Sequence, residues 1–152
     1  MAIQSDVQVQ FISDEVAADD DFIVTAARPD TAATLANTSF ASGGARILNV
    51  TTTGTGDNGK TNTIVGTDVF GDSLTEVITS TGSAEAVSGT KYFKTITSVT
   101  SSEQFAANMK VGSTASAAQS VGNGARIRLK GYSIVSGGSA GIVQFYDGAP
   151  ED

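Results

Sequence analysis

Alternating apolar and polar positions dominate this chain, and they predict short β-strands. Beyond the glycine pair at 43 and 44, each alternating run is rich in Thr, Val and Ile and is bounded by Gly, Asn or Asp, which favour turns. A period of two is typical of strands with one buried face. We predict strands at 45–53, 61–67, 73–81 and 90–100, and then a hairpin in which 125–135 and 141–147 flank a glycine-rich turn.

Two segments in the second half of the chain carry weaker patterns. Residues 102–112 allow either a short helix capped by Ser102 or a strand that ends in "MKVG". Residues 113–124 are mostly Ala, Ser and Gly and have little side-chain surface to bury. We predict that they form a surface loop.

The first 42 residues follow a less regular pattern. Residues 7–12 alternate as a strand does, an acidic stretch follows, and 22–27 form a short apolar run. Asp30, after Pro29, is placed to cap one or two helical turns. We therefore predict a single all-β domain over 1–152: an antiparallel β-sandwich or jelly-roll-like barrel at 43–152 with an extended N-terminal strand and arm region at 1–42.

The composition narrows the chemistry that the chain can perform. It contains no His, Cys or Trp. The usual Ser–His–Asp triad, thiol catalysis and the common zinc ligand sets therefore cannot be built. Carboxylates remain, but no pattern singles out an acid and a nucleophile. We predict that the protein is not an enzyme and has no cofactor, and we name no residue as a metal ligand.

The net charge of −7 disfavours nucleic acid as a partner, because phosphate binding needs a basic surface. Arg126, Arg128 and Lys130 stand on alternate positions of one predicted strand. We interpret them first as a solvated strand face and second as a contact patch for an acidic partner protein. The chain has no run near the ~20 apolar residues of a membrane helix. Its start lacks the pattern of an export signal, so we expect neither membrane insertion nor signal-directed export.

Residues 54–61, "GTGDNGKT", match the phosphate-binding P-loop motif G-x-x-x-x-G-K-[ST]. A working P-loop runs into a helix whose N-terminal amides hold the phosphates. The residues after Thr61 are β-branched and glycine-containing, which predicts a strand. We interpret 54–60 as an exposed hairpin tip, in which Asp57, Asn58 and Gly59 favour turn conformations. A nucleotide hydrolase that uses Lys60 is the remote alternative.

Two groups of carboxylates raise the question of calcium. Asp68, Asp72 and Glu76 lack the EF-hand order of ligands and glycine, so we interpret 68–72 as a turn between strands. Asp19, Asp20 and Asp21 form a run that we interpret as solvated charge. The sequence leaves open whether either group binds Ca²⁺.

The segment 44–114 resembles small β-sandwich structural proteins of tailed bacteriophages, in particular marine and cyanobacterial phages. The similarity rests on "GTDVFGDSLTE" after a polar strand, a small-residue loop, "TKYFKTITSV", and a closing "MKVG" strand. The later "RLKGYSIVSGGSAGIVQFYDG" resembles hairpins of phage decoration and tail proteins. These patterns are made of turns and strands, so no functional residue can be transferred.

This resemblance implies a non-enzymatic virion protein that is assembled in the host cytoplasm. Capsid decoration as a homo-oligomer, for example a trimer in contact with the major capsid protein, is the first expectation. The alternative is a tail or fibre component that binds tail proteins, a receptor or a glycan. The loops at 54–60, 82–89 and 113–124 would be the places for such binding.

Overall fold

The computed structural model describes residues 17–40, 44–118 and 145, and antiparallel strands lie within 19–118. One three-residue 3₁₀ turn, Thr55–Asp57, lies between the second and third strands. In chain order the strands are β1 Asp19–Ala27, β2 Ala45–Thr52, β3 Thr61–Thr67, β4 Ser73–Thr79, β5 Val87–Phe93, β6 Thr95–Ser101 and β7 Met109–Ala118.

The strands form two sheets that pack face to face. One sheet has the order β1-β7-β2-β5 and the other the order β4-β3-β6, and every strand pairing is antiparallel. The predicted all-β fold and its antiparallel sandwich form are confirmed. Among the strands of the described residues, only β3 and β4 are joined as a hairpin within one sheet. The connections from β2 to β3 and from β4 through β7 each pass from one sheet to the other.

The space between the sheets is filled by one continuous apolar cluster. Every second residue of β3 is buried, and β4 buries Leu74 and Ile78 while the residues beside them face outward. This is the period of two read from the sequence. The buried cluster consists of Ile23, Val24, Phe40, Leu48, Val50, Ile64, Leu74, Ile78, Phe93, Ile96, Val99, Phe105, Met109 and Val111.

The described part of the N-terminal region, 17–40, pairs with both sheets. Strand β1 is the edge strand beside β7, and its register with β7 shifts twice. The chain then crosses to the other sheet, where Ala32 bridges Thr100 and Ser39 bridges Thr95 of β6. The predicted helical turns after Asp30 are wrong, because this segment extends along β6 and uses its backbone groups there.

Three further predictions of local structure are corrected. The predicted strand 90–100 is divided at Lys94, where the chain leaves one sheet and enters the other. The segment predicted as a loop at 113–124 begins in a strand, because β7 extends to Ala118. The segment predicted as a loop at 82–89 ends in a strand, because β5 begins at Val87.

Residues 102–112 form no helix, and their last part begins β7. The predicted strand at 7–12 and the predicted hairpin at 125–147 lie outside the described residues, apart from residue 145.

Candidate functional site

The P-loop-like segment is a crossing between the two sheets. β2 ends at Thr52 in one sheet and β3 begins at Thr61 in the other, so the two strands do not pair with each other. The hairpin-tip interpretation of 54–60 is therefore wrong. The prediction that a strand follows the motif is confirmed. Gly59 has a φ of +82°, a conformation that glycine adopts without strain, and its N–H donates to the Ser80 carbonyl (2.9 Å).

Asp57 anchors this crossing from inside the protein. Its side chain is fully buried, although Asn58 and Gly59 beside it are exposed. The carboxylate accepts hydrogen bonds from the backbone N–H of Ala106 and of Ala107 (3.1 Å to the latter) and from the Thr52 hydroxyl (2.9 Å). One buried carboxylate thus connects the end of β2, the crossing and the loop before β7.

Lys60 completes the same cluster. Its Nζ lies 3.1 Å from the Asp57 carboxylate, donates to the Gln104 carbonyl, and sits 5.6 Å from the centre of the Phe105 ring. Burial acts to raise the Asp57 pKa. The two backbone N–H donors, the Thr52 hydroxyl and Lys60 outweigh that effect and lower it to about 2. Asp57 is therefore ionised at neutral pH.

This geometry differs from that of a phosphate-binding loop. A strand, not a helix, follows Lys60, so no helix N-terminus points toward the loop. The lysine ammonium is directed at a protein carboxylate and a backbone carbonyl rather than into an open cradle. What the arrangement can do is hold two loops together at one end of the sandwich.

Asp68 has a comparable structural task in the turn between β3 and β4. Its Oδ1 accepts from the backbone N–H groups of Phe70, Gly71 and Asp72, each at 2.8 Å. The turn predicted at 68–72 is confirmed.

Glu76 points away from that turn toward the neighbouring sheet, where its Oε1 accepts from the Thr90 backbone N–H (2.6 Å) and hydroxyl (3.1 Å). Asp68, Asp72 and Glu76 are not brought together as a ligand set.

The outer surface of the β4-β3-β6 sheet is the largest regular feature that the sequence left without a role. The outward positions of β3 and β4 carry neither a charge nor an aromatic ring. We call these residues the threonine face: Thr61, Thr63, Val65, Thr67, Ser73, Thr75, Val77 and Thr79. They pair across the two strands without a register shift, and Val77 is 55% exposed.

The threonine face continues onto β6, where the Thr67 and Thr95 hydroxyls lie 2.7 Å apart. Phe70, 45% exposed, stands at its end in the β3–β4 turn. The sequence signal for this face is the repetition of Thr, Ser or Val at every second position of 61–67 and 73–79. That repetition predicts strands but does not by itself indicate a contact surface.

The remaining predicted site residues divide into two groups. Arg126, Arg128 and Lys130 lie outside the part of the chain that the structure describes, so the contact patch stays a prediction. Asp19, Asp20 and Asp21 lie at the start of β1, with side-chain oxygens within 4.8 Å of one another.

No family model matches the chain, and no curated protein or solved structure shows significant similarity to it. Across residues 17–40, 44–118 and 145, no helix has the length and apolar character needed to cross a membrane.

Proposed function

We propose that this protein is a non-enzymatic structural component of a bacteriophage particle. We propose further that it decorates the capsid as a homo-oligomer in contact with the major capsid protein. Two lines support the proposal: the resemblance of 44–114 to phage β-sandwich proteins, and the chemistry of the threonine face. The face is the observation that carries it.

The threonine face can be covered by a partner protein at little cost. Thr and Ser remain exposed in most folded proteins, as charged residues do, but they carry no charge that has to be desolvated. The centres of protein interfaces are depleted in charged residues, since each buried charge has to be paired or desolvated. Thr and Val also lose little rotamer freedom when they are covered. Covering this face therefore costs little in desolvation or side-chain entropy.

The resemblance to phage decoration proteins indicates which partner would cover this surface. In phage decoration, a small sandwich repeats over a lattice of identical capsid subunits, so a flat face can recur at every site. We propose that the threonine face contacts the capsid protein, with Val77 on the edge strand β4 and Phe70 at the end of the face.

The test is to locate the protein in particles of the phage that encodes it. Mass spectrometry of purified particles, followed by imaging of the particle surface, should find many copies on the head. Copies restricted to the tail would replace decoration with the tail alternative. The absence of the protein from purified particles, together with a monomeric state in light scattering, would refute the proposal.

A variant pair tests the role of the face. Val77→Glu places a charge at the most exposed apolar position of the threonine face, on β4, and it should abolish binding to heads stripped of the protein. Ala26→Glu makes the same change at an exposed position of β1 in the other sheet and should leave binding intact. Equal binding by both variants would show that the capsid contact lies elsewhere.

A further inference from the structure

The start of β1 lies across the outer surface of the sheet rather than simply extending its edge. A side chain at Gly112 of β7 would collide with the backbone of Asp19 and Asp20. The register between β1 and β7 shifts directly after Asp19. The acidic segment is therefore held against the β7 backbone.

Three carboxylates are crowded together at this place. One side-chain oxygen from each of Asp19, Asp20 and Asp21 fits within 4.8 Å, the only such group of three in residues 17–40, 44–118 and 145. The Asp19 carboxylate also accepts from the Asp21 backbone N–H (3.2 Å).

The positive charge beside the cluster is too small to neutralise its three carboxylates. Lys110 Nζ lies 3.2 Å from Asp20 Oδ2, and both side chains are partly exposed. It is the one ion pair with these aspartates in the described part of the chain. Three carboxylates thus face a single ammonium.

Asn49 of β2 provides an independent observation. Asn49 is only 7% exposed, and its Oδ1 is buried with no hydrogen-bond donor among the described residues. A buried carbonyl oxygen that lacks a partner is costly and calls for an explanation. Asn49 lines the same open cavity, about 410 Å³ in volume, as Asp19, Asp20 and Ser113. A cation held by the aspartates in that cavity would give this oxygen the partner that it lacks.

We propose that Asp19, Asp20 and Asp21, together with the side-chain carbonyl of Asn49, bind a divalent cation and that this cation is Ca²⁺. All of these ligands are oxygens, which hard cations prefer. Ca²⁺ accepts an irregular set of oxygen ligands, whereas Mg²⁺ demands a nearly regular octahedron and gives up its water reluctantly. The bound ion would fasten the start of β1 to β2 across β7. The proposal is independent of the proposed virion function.

Calorimetric titration of the chelator-treated protein with CaCl₂ tests the site. We expect binding at one site with a dissociation constant of about 10⁻⁴ to 10⁻³ M, the range of exposed calcium sites, and Mg²⁺ at least about tenfold weaker. The thermal midpoint should rise with CaCl₂ but not with NaCl of equal ionic strength. No heat and no thermal shift at about 10 mM CaCl₂ would overturn the proposal, and so would equal affinity for Mg²⁺.

Three variants locate the ligands. Asp19→Asn with Asp21→Asn should weaken calcium binding by at least about tenfold, because ligand charge sets affinity. Asp30→Asn removes an exposed carboxylate outside the cluster and should bind calcium as the unchanged protein does. Equal weakening by Asp30→Asn would reduce the effect to general charge attraction and refute the site.

Asn49→Leu tests the orphaned oxygen with a side chain of similar size. It should weaken calcium binding while far-UV circular dichroism stays that of a folded sandwich. If folded Asn49→Leu binds calcium with unchanged affinity, Asn49 is not a ligand of the ion. Should Asn49→Leu not fold, the aspartate pair decides the result, since those residues lie at the partly exposed start of β1.

Discussion

The replacement Asp57→Asn should destabilise the protein by about 2 to 3 kcal/mol at neutral pH. The pKa of Asp57 falls from 3.8 to about 2, and each unit is worth about 1.4 kcal/mol, so ionisation of the folded state contributes about 2 kcal/mol. Asparagine also places an amide donor against two backbone N–H groups and Lys60, where the carboxylate accepts. Urea denaturation followed by far-UV circular dichroism measures the change.

The stabilisation by Asp57 should depend on pH in a defined direction. Between pH 3.8 and about 2 the unfolded chain binds a proton at Asp57 and the folded protein does not, so acid favours unfolding in that window. The stabilising contribution is complete above pH 3.8 and disappears as the pH falls toward 2. The difference in free energy of unfolding between the unchanged protein and Asp57→Asn should therefore become smaller when the denaturations are repeated from pH 7 down to pH 3.

The control is Glu103→Gln, which removes an exposed carboxylate from the loop that Asp57 holds. It should change stability by less than about 0.5 kcal/mol. Coincident denaturation curves for Asp57→Asn and the unchanged protein at pH 7 would refute the reasoning. A difference that stays constant down to pH 3 would contradict its electrostatic part.

Two further predictions concern the basic residues of the sandwich. The unchanged protein should bind neither ATP nor GTP in calorimetry. Lys60→Ala should lower the free energy of unfolding by about 1 kcal/mol, because the contact with Asp57 is lost. If the unchanged protein binds a nucleotide and Lys60→Ala does not, the nucleotide hydrolase alternative is supported. Arg46 is 1% exposed, and its Nη1 donates to Thr114 O (3.2 Å), whereas Nε and Nη2 are unpartnered. Because this buried charge has no carboxylate partner in the described residues, Arg46→Met should unfold at the same or higher urea concentration, and a loss above about 2 kcal/mol would contradict that.

The strands in which apolar and polar residues alternate regularly could be predicted from the sequence. The sheet to which each connecting segment leads could not. The predicted bounds of β3 agree with the structure because its period of two reports which face is buried. The same turn residues serve a hairpin and a crossing between sheets, so 54–60 could not be assigned from local sequence. At Lys94 the β-favouring residues continue without interruption although the chain changes sheets.

The individual roles of the polar residues were also hidden from the sequence. Nothing in "GDNG" distinguishes the buried Asp57 from the exposed Asn58, since the two backbone N–H groups that hold Asp57 belong to residues about fifty positions later in the chain. Residues 113–118 form part of β7 through backbone pairing with β2, which a pattern of side-chain polarity does not report. Asn49 resembles any polar residue of a strand until its neighbours in space are known.

The pairing of β1 with β7 sets the order in which the protein can fold during synthesis. Asp20 and Lys110, which join these strands, are ninety residues apart. At about 5 to 20 residues per second, β1 leaves the ribosome several seconds before its partner exists, whereas a hairpin such as β3–β4 closes within microseconds. A strand that waits unpaired is a template for aggregation, and charge protects such strands. The three aspartates at the start of β1 therefore also repel other nascent copies until β7 arrives.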